Sequence, residues 1–385
     1  MSDQPDALED LTEEELAALV DLAEAYRDGG LARRDLLKAV GVGGVAGLVG
    51  GAGWSVATGG EEADREPRAD PAVRTVAPVA RPGQVQRAID RAGEGGGGKV
   101  MLDPTERYEQ PSAPWAVRED VILDFNGAIL RGTGTRPDTD ILHVYPGAQL
   151  HDPRIDLHDG GDGYTDADPY RGRVFSLDTR FGKPYFADGT TIRGGIVRAT
   201  GGAGTACYLG VNTTGVDSAI THIGLEFDIG IPRGSDTETS LDTALHLDTT
   251  GANRAGYING VRVSGHWRYP NTGVRQSGVV GRFNQQTRNS FDVQIQPGND
   301  ANAFWQIEDP TWARLNVWRG IIWDIRSYSG TAWKIDSQYQ DSQDAWRGCK
   351  RNAVYTLDLQ PTHVRNRSPN GHFINRPDRL RSIVV

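Results

Sequence analysis

The residues best suited to acid–base chemistry lie between positions 226 and 248. They comprise four carboxylic acids and one imidazole: Glu226, Asp228, Asp242, His246 and Asp248. Asp228 and Asp248 are separated by roughly 20 residues, about one turn of a coiled chain, and same-register residues on adjacent coils lie about 5 Å apart. Retaining glycosidases use two carboxylates at roughly that distance, and the repulsion between them raises one pKa. The spacing predicts Asp228, Asp242, His246 and Asp248 as a catalytic set, with chance pairing among many acids as the alternative.

A glycine-rich acidic loop that begins at His158 is a second candidate. Carboxylates supply the oxygen ligands that Ca²⁺ prefers, and the predicted metal ligands are Asp159, Asp162, Asp166 and Asp168. The loop lacks the glycine that an EF-hand carries at its sixth position. A solvated turn is the alternative, and Ca²⁺ is the only cofactor that the sequence suggests.

Tryptophan is concentrated late in the chain. Seven of the nine Trp residues lie between positions 267 and 346. Exposed aromatic faces stack on sugar rings, and neighbouring polar side chains bond the hydroxyls. The pattern predicts a substrate-binding surface formed by Trp267, Trp305, Trp318, Trp323 and Arg262. The alternative is that many of these aromatic side chains fill the core.

Charge is unevenly distributed along the chain. The formal net charge is −10, but residues 1–57 hold 11 acids and four bases, so residues 58–385 carry only −3. This near-neutral body has no basic stripe, so nucleic-acid binding is not predicted. The 49 glycines favour many turns between short strands.

Residues 1–57 have the pattern of a targeting segment. Residues 11–27 have helical spacing, and a Gly/Ala/Val run extends from Ala39 to Ala57. Between them lies a group that resembles a twin-arginine export signal: Arg33, Arg34, Leu36, Leu37 and Lys38. The resemblance implies an extracellular or cell-surface protein that meets the membrane only through this leader. The alternatives are a buried Gly-rich helix and an uncleaved anchor, and residues 58–78 are a predicted linker.

The segment 82–132 is the most informative about the fold. Residues 85–92 predict a short amphipathic helix, a glycine-rich loop follows, and two apolar runs predict strands. Asn126-Gly127 is a turn signal before another apolar run. This order resembles the start of pectate-lyase-like β-helix proteins, except that three residues separate Pro104 from Tyr108, where the family pattern has two.

Beyond this segment, short apolar runs recur, and many successive groups are roughly 18–25 residues apart, a period typical of solenoids. A short strand with one apolar face cannot bury that face alone. Stacking coils roughly 4.8 Å apart pairs the backbone and closes a core. The prediction is an all-β, single-stranded, right-handed parallel β-helix over residues 79–385, capped by the helix at 85–92. A propeller or a sandwich is the alternative.

The family resemblance implies a polysaccharide or cell-surface glycan as the partner. Lyases of this fold often place a basic residue beside an acid sugar, a role that would fall on Arg262 and Arg288. The chain is therefore predicted to bind polysaccharide along its coil face, with cleavage by a lyase or glycoside hydrolase mechanism left open. A non-catalytic adhesin or a virion spike is the alternative.

Three further features concern origin, assembly and the cysteines. The leader and the Trp-rich body resemble exported and virus-associated proteins of halophilic archaea. A homotrimer is one assembly compatible with these functions. The sequence leaves open whether Cys207 and Cys349 form a disulfide, because two cysteines so far apart do not define a pair.

Overall fold

The computed structural model describes thirteen stretches of the chain. They are residues 79–158, 163–181, 185–186, 189–213, 218–231, 239–252, 256–279, 285–296, 301–320, 333–337, 352–355, 364–366 and 374–375. All belong to the second of two compact units, Pro71–Val385, while the first unit, Met1–Asp70, lies outside the described residues. The leader and linker expected over residues 1–78 therefore stay predictions.

Within these stretches the chain forms one helix and 27 strands. The helix, α1, is Val85–Glu94. The strands are β1 Gly98–Met101, β2 Tyr108–Glu109, β3 Trp115–Val117, β4 Val121–Asp124, β5 Ile129–Arg131, β6 Leu142–Val144, β7 Gln149–His151, β8 Arg154–Asp156, β9 Arg173–Asp178, β10 Tyr185–Phe186, β11 Thr191–Arg198, β12 Thr205–Gly210, β13 Ser218–Thr221, β14 Gly224–Gly230, β15 Thr243–Asp248, β16 Gly256–Asn259, β17 Arg262–Arg268, β18 Thr272–Ser277, β19 Gln285–Thr287, β20 Ser290–Gln296, β21 Ala303–Ile307, β22 Ala313–Arg314, β23 Val317–Arg319, β24 Trp333–Ile335, β25 Ala353–Tyr355, β26 Val364–Asn366 and β27 Ile374–Asn375.

The strands form three sheets. Sheet 1 has the order β1-β4-β7-β11-β14-β17-β20-β23-β25-β27, with β2, β5 and β8 attached beside this path. Sheet 2 has the order β3-β6-β9-β12-β15-β18-β21-β24-β26, and sheet 3 has the order β10-β13-β16-β19-β22. Every described pairing of these strands is parallel. Because the chain returns to each sheet after visiting the others, it folds as a parallel β-helix and not as an antiparallel propeller or sandwich.

Most coils are longer than the sequence spacing predicted. The first coil of sheet 1 is short, because Gly98 pairs with nearby Val121. A later coil of sheet 2 is much longer, because the partner of Thr205 on the next coil is Thr243. In the region of the predicted acids, the step from Asp228 to Asp248 leads from β14 in sheet 1 to β15 in sheet 2. The predicted interval is therefore wrong as a coil length for most of the body, and it does not identify side chains on the same face.

Strand β14 illustrates how the sequence assigns side chains to the core. Leu225, Phe227 and Ile229 are buried, whereas Glu226 and Asp228 between them are exposed. Successive side chains of a strand point to opposite faces, and β17 and β20 bury alternate positions in the same way. The buried side chains of successive coils thus stack into one core. Each fully buried apolar side chain contributes about 1.5–3 kcal/mol to stability.

Helix α1 extends beyond the predicted segment, to Glu94. It packs against β1, β3 and β4, and its Val85 and Ile89 are buried. The side-chain Oε1 of Gln86 accepts a 2.7 Å hydrogen bond from the backbone N–H of Ala116. The helix is therefore fixed by apolar burial and by a polar contact to the first strands of the β-helix.

A row of buried asparagines joins the later coils. The backbone N–H of Asn289 donates to Oδ1 of Asn316, and the N–H of Asn316 donates to Oδ1 of Asn352, each at 3.0 Å. Nδ2 of Asn316 also donates to the Gln286 carbonyl at 3.0 Å. All three asparagines are buried, so their amides satisfy backbone groups that water does not reach.

Candidate functional site

The outer face of sheet 1 carries two neighbouring cavities lined by β11, β14 and β17. Cavity A has a volume of about 350 Å³, and its polar lining includes Arg193, Glu226, Arg262, Ser264 and Asp292. Cavity B has a volume of about 790 Å³, and its polar lining includes Asp156, His158, Arg198, Asp228, His266 and Arg268. Both volumes lie in the range of small-molecule sites. The lining of cavity B is mainly polar, whereas that of cavity A combines charged side chains with apolar surface from Ile192, Leu225 and Val263.

Strand β14 connects the two cavities. Its outward positions are Gly224 and Glu226, which line cavity A, followed by Asp228 and Gly230, which line cavity B. Residues two apart on a strand share a face, and their Cα atoms lie about 6.6 Å apart. Two carboxylates therefore stand side by side where the cavities meet.

The two carboxylates at this junction have different surroundings. Oδ1 of Asp228 accepts a 2.7 Å hydrogen bond from the backbone N–H of His266 on the next coil. Glu226 is exposed, and no described residue bonds to its carboxylate. One oxygen of Asp228 is therefore held as an acceptor toward the next coil, while the carboxylate of Glu226 is open to a ligand.

No protein-family model matches the chain, and no curated protein matches it. Among solved structures, the chain is similar to a mutant tailspike protein of E. coli bacteriophage HK620, with 14% sequence identity and a TM-score of 0.30. The match covers 77% of this chain and 62% of the tailspike chain. A TM-score of 0.30 is too low to support a shared fold or function. The assignment of a β-helix therefore rests on the strand pairing within this chain.

The structure separates the predicted catalytic residues. Asp228 lies on sheet 1, whereas His246 and Asp248 lie on β15 of sheet 2 and Asp242 immediately precedes that strand. The register partner of Asp228 on the preceding coil is Ile196, so the predicted pairing of Asp228 with Asp248 is wrong. The physical reason is the length of the coil, since the stretch from Asp228 to Asp248 does not complete one turn.

Asp248 belongs to a hydrogen-bonded network on sheet 2. Its carboxylate accepts bonds from the Tyr208 hydroxyl at 2.8 Å and from Ser277 Oγ at 3.0 Å. The backbone N–H and the hydroxyl of Thr250 donate two more, at 2.8 and 2.6 Å. Nε2 of His246 lies 2.8 Å from Ser277 Oγ. Three of these hydrogen bonds go to Oδ1 and one goes to Oδ2, and together they fix the carboxylate in place.

Electrostatics in this network oppose the predicted acid–base role. Burial lowers the pKa of His246 to about 4, so the imidazole is neutral at neutral pH. Burial would raise the pKa of Asp248, but the hydrogen bonds from Thr250 and the interactions with His246 and Tyr208 hold it below its ordinary value. A carboxylate with a lowered pKa is a poor proton donor, because it is already ionised.

The hydrogen-bond directions also argue against a serine nucleophile in this network. The Ser277 hydroxyl has one proton, which it donates to Asp248. Neutral His246 then donates its Nε2 proton to Ser277 Oγ and does not accept the serine proton. An activated serine needs the opposite direction. We therefore assign Asp248, His246 and their partners a structural role.

Asp242 is likewise bound to neighbouring protein groups. Its carboxylate accepts hydrogen bonds from the Thr243 hydroxyl at 2.9 Å and from Nδ2 of Asn271 at 3.0 Å. Its backbone carbonyl accepts a further hydrogen bond from the N–H of Thr272 on the next coil. These contacts hold the turn before β15 against the next coil of sheet 2.

The predicted aromatic surface is wrong for the three tryptophans that the structure describes. Trp267, Trp305 and Trp318 are at most 1% exposed, so none presents a face to a sugar. Their side chains fill the core, and the indole N–H of Trp267 donates to the Phe227 carbonyl at 3.0 Å. Trp323 lies outside the described residues. Of the predicted substrate-binding residues, Arg262 lines cavity A.

The acidic loop is only partly described. Asp166 accepts a hydrogen bond from the Thr200 hydroxyl, and Asp168 forms a 3.1 Å ion pair with Arg171. Asp159 and Asp162 lie outside the described residues, so the Ca²⁺ site stays a prediction. Within the described stretches, no group of three or more His, Cys, Asp or Glu side chains is arranged to hold a metal ion.

Sequence reasoning missed most of the groups that line cavities A and B, although the sequence contains a signal for them. Three strand sequences, GLEFDIG, RVSGHWR and SFDVQIQ, alternate buried and outward positions. Aligning these segments by their alternation, and not by a fixed interval, would have placed Ser264, His266, Arg268 and Asp292 on one face.

Two other expectations concern the membrane and the cysteines. Across the described part of the chain, no helix has the length and apolarity needed to cross a bilayer. Cys207 is fully buried, and burial raises the pKa of its thiol. Cys349 lies outside the described residues, so the disulfide question stays open.

Proposed function

We propose that the protein is an exported β-helix protein that binds polysaccharide across cavities A and B. The observation that carries this proposal is the meeting, on the outward face of β14, of two cavities that are both lined by arginine and carboxylate side chains. Arginines in both cavities supply hydrogen-bond donors, and the carboxylates supply acceptors. A glycan offers the matching mixture, because each hydroxyl both donates and accepts.

An extended polymer suits this face better than a small molecule. Successive coils repeat their outward groups about every 4.8 Å, which is close to the length of one sugar residue in a chain. The register aligns Glu226 with Ser264 and Ser264 with Asp292, so polar groups recur on three successive coils. A glycan that follows this row meets a hydrogen-bonding group at each coil.

Hydrolysis is the reaction class that we propose for the junction. Glu226 and Asp228 extend from one face of β14 with Cα atoms about 6.6 Å apart, and from that base their side chains can reach the roughly 6.5–9.5 Å that separates the carboxyl groups of inverting glycosidases. There, one carboxylic acid protonates the leaving oxygen while the other carboxylate activates a water. In this proposal Glu226, whose carboxylate no described residue binds, takes the acid role. Asp228, which the His266 N–H holds as an acceptor, suits the base role.

Incubation with polymers tests binding and reaction class together. The purified protein is mixed with polygalacturonate, alginate, hyaluronan, xylan and dextran. Binding of each polymer is measured by calorimetric titration, and reducing ends and the absorbance of unsaturated products are followed. We expect reducing ends to appear from at least one polymer without unsaturated products. Glu226→Gln and Asp228→Asn should each slow the release of reducing ends by about 100-fold. Glu109→Gln changes an exposed acid outside both cavities and should not slow it.

The controls separate the candidate classes. If unsaturated products appeared, the reaction would be elimination and the proposal of hydrolysis would be wrong. Binding without any release would favour the non-catalytic adhesin or virion spike. Failure of every polymer to bind would contradict the proposed function.

Several finer features of this proposal rest on the sequence. They are export by a twin-arginine route to the cell surface or medium, a right-handed winding with α1 as its cap, and a homotrimeric assembly. The proposed haloarchaeal or viral origin also rests on the sequence. Determining the mass of the purified assembly in solution tests the trimer directly.

A further inference from the structure

In cavity B, two arginines face each other across a glycine. Arg198 on β11 pairs in register with Gly230 on β14. The next pairing, of Ile229 with Trp267, places Gly230 beside Arg268 on β17. Arg198, Gly230 and Arg268 therefore form one row over three coils, and the Cα atoms of the two arginines lie about 9.6 Å apart.

Neither backbone geometry nor packing requires glycine at position 230. Its φ is not in the left-handed region, and no heavy atom lies within 4 Å of a Cβ built there. Gly265 on β17 is a useful contrast, since its φ is +153° and an added Cβ would collide with the Phe227 carbonyl. The space above Gly230 is thus open volume of cavity B, which both arginines line.

The charges of the two arginines are available to a ligand. A terminal guanidinium nitrogen of Arg198 lies 3.7 Å from Oδ2 of Asp156. Asp156 is on the opposite side of Arg198 from Gly230, and an ion pair with so exposed an arginine contributes little free energy. Arg268 is exposed and forms no ion pair with a described residue. On the neighbouring position of β14, Oδ1 of Asp228 is occupied by the His266 N–H.

We propose that this row is an anion subsite, in which a carboxylate or sulfate substituent of the glycan lies over Gly230 between Arg198 and Arg268. Guanidinium groups present paired N–H donors that match the oxygens of such anions. The inference rests on the proposed function and narrows its substrate class to acidic polysaccharides. The bound anion lies in cavity B, next to the junction where Glu226 and Asp228 meet.

Monosaccharide probes test the subsite apart from the polymer. Glucuronate, glucose 6-sulfate and glucose are titrated calorimetrically into the full chain at equal ionic strength. We expect at least one of the anionic sugars to bind about tenfold more tightly than glucose or better. Preference for one of the two identifies carboxylate or sulfate as the group that the glycan carries.

Matched variants locate the binding. Arg198→Gln and Arg268→Gln should each lower the affinity for the anionic sugar by about tenfold, and Gly230→Val should block it by filling the space. Arg87→Gln removes an exposed arginine of α1 outside both cavities and should leave the affinity unchanged. Gly224→Ala adds a side chain at the equally open glycine of cavity A and should also leave it unchanged. Thermal unfolding of each variant confirms that it is folded, and Gly230→Ala serves if the valine is not tolerated.

Two results would overturn the subsite. One is equal binding of glucose and both anionic sugars. The other is anionic binding that survives Arg198→Gln, Arg268→Gln and the Gly230 variant. In either case, polymer binding that still depends on Glu226 would leave the proposed function intact, whereas failure of every polymer would remove both.

Discussion

Asp228 and Asp248 show how the environment decides the role of an aspartate. Asp228 is exposed and accepts one hydrogen bond from a described residue, while Asp248 is buried and accepts four. The four donors hold the Asp248 carboxylate in a fixed orientation and favour its ionised form. Asp228 keeps an oxygen for water or substrate, which is what a catalytic base needs.

His246 should make the stability of the protein sensitive to acid. Its pKa of about 4 in the folded chain is below the ordinary 6.5, so folding favours the neutral imidazole. The contribution of neutral, buried His246 to the free energy of unfolding is fully present above pH 6.5. It is lost as the pH falls through about 4, because the unfolded chain binds the proton more readily. Urea unfolding over this range should show a falling free energy of unfolding, and His246→Gln should flatten the fall.

A second histidine serves as the control for this prediction. His158 lies outside the network on sheet 2, and its Nδ1 donates a 2.8 Å hydrogen bond to the Tyr164 carbonyl. His158→Gln should therefore keep the acid sensitivity of the wild type. An acid response of His246→Gln equal to that of the wild type would contradict the assigned structural role.

The burial of Trp318 gives another prediction at the scale of the residue. Trp318→Ala removes a fully buried indole and should lower the free energy of unfolding by about 3–5 kcal/mol. Trp318→Phe leaves a smaller void and should cost less, while polymer binding by this variant stays at the wild-type level. Chemical denaturation and calorimetric titration measure the two effects. A folded Trp318→Phe protein that lost binding would restore the sugar-stacking interpretation.

At the scale of the element, the sequence identified strands more reliably than it identified their partners. The helix near residues 85–92 and many of the apolar runs occupy helix and strand positions in the structure. The coil length, however, varies widely, since Gly98 pairs with nearby Val121 while Gln149 pairs with the far more distant Thr191. Turns of variable length are inserted between strands, so no fixed interval reveals which strands stack.

The candidate site was predictable only in part for the same reason. Asp228 was predicted from its spacing to Asp248 and Arg262 from the resemblance to lyases of this fold, and both side chains line the cavities. The pairing with Asp248 failed because it assumed too short a coil. The prediction of an aromatic surface failed because the type of a residue does not show whether its side chain points into the core or outward. The alternation of buried and exposed positions along a strand does show this. Trp267 occupies the same parity as buried Val263 in β17, so the pattern already assigns it to the core.

The asparagine row is an element whose contribution can be measured. Asn316→Ala removes the acceptor for the Asn289 N–H and the donor to the Gln286 carbonyl, and both groups are buried. We expect the free energy of unfolding to fall by roughly 2–4 kcal/mol, since each orphaned buried group costs about 1–3 kcal/mol. Urea denaturation checks this. Gln294→Ala, at an outward exposed position of β20, should change stability little, and equal losses for both variants would contradict the role of the row.

At the scale of the whole molecule, the faces of the β-helix differ in what they leave available. On sheet 2, outward groups near Asp248 are bound to one another. On sheet 1, the outward groups of β14 and β17 border open cavities. Both surfaces are polar, so polarity alone does not distinguish them. Unused hydrogen-bonding capacity beside open volume is the reason that we propose sheet 1, and not sheet 2, as the glycan-binding face.

The affinity of one polymer for two double variants tests this assignment most directly. The polymer that binds best in the panel is titrated into Glu226→Gln/Arg262→Gln, which alters cavity A, and into Arg107→Gln/Glu109→Gln, which alters an exposed pair outside both cavities. We predict that the first variant binds at least about tenfold more weakly than the wild type and that the second binds equally well. Unchanged binding by the first variant, with both proteins folded, would contradict glycan recognition on the outer face of sheet 1.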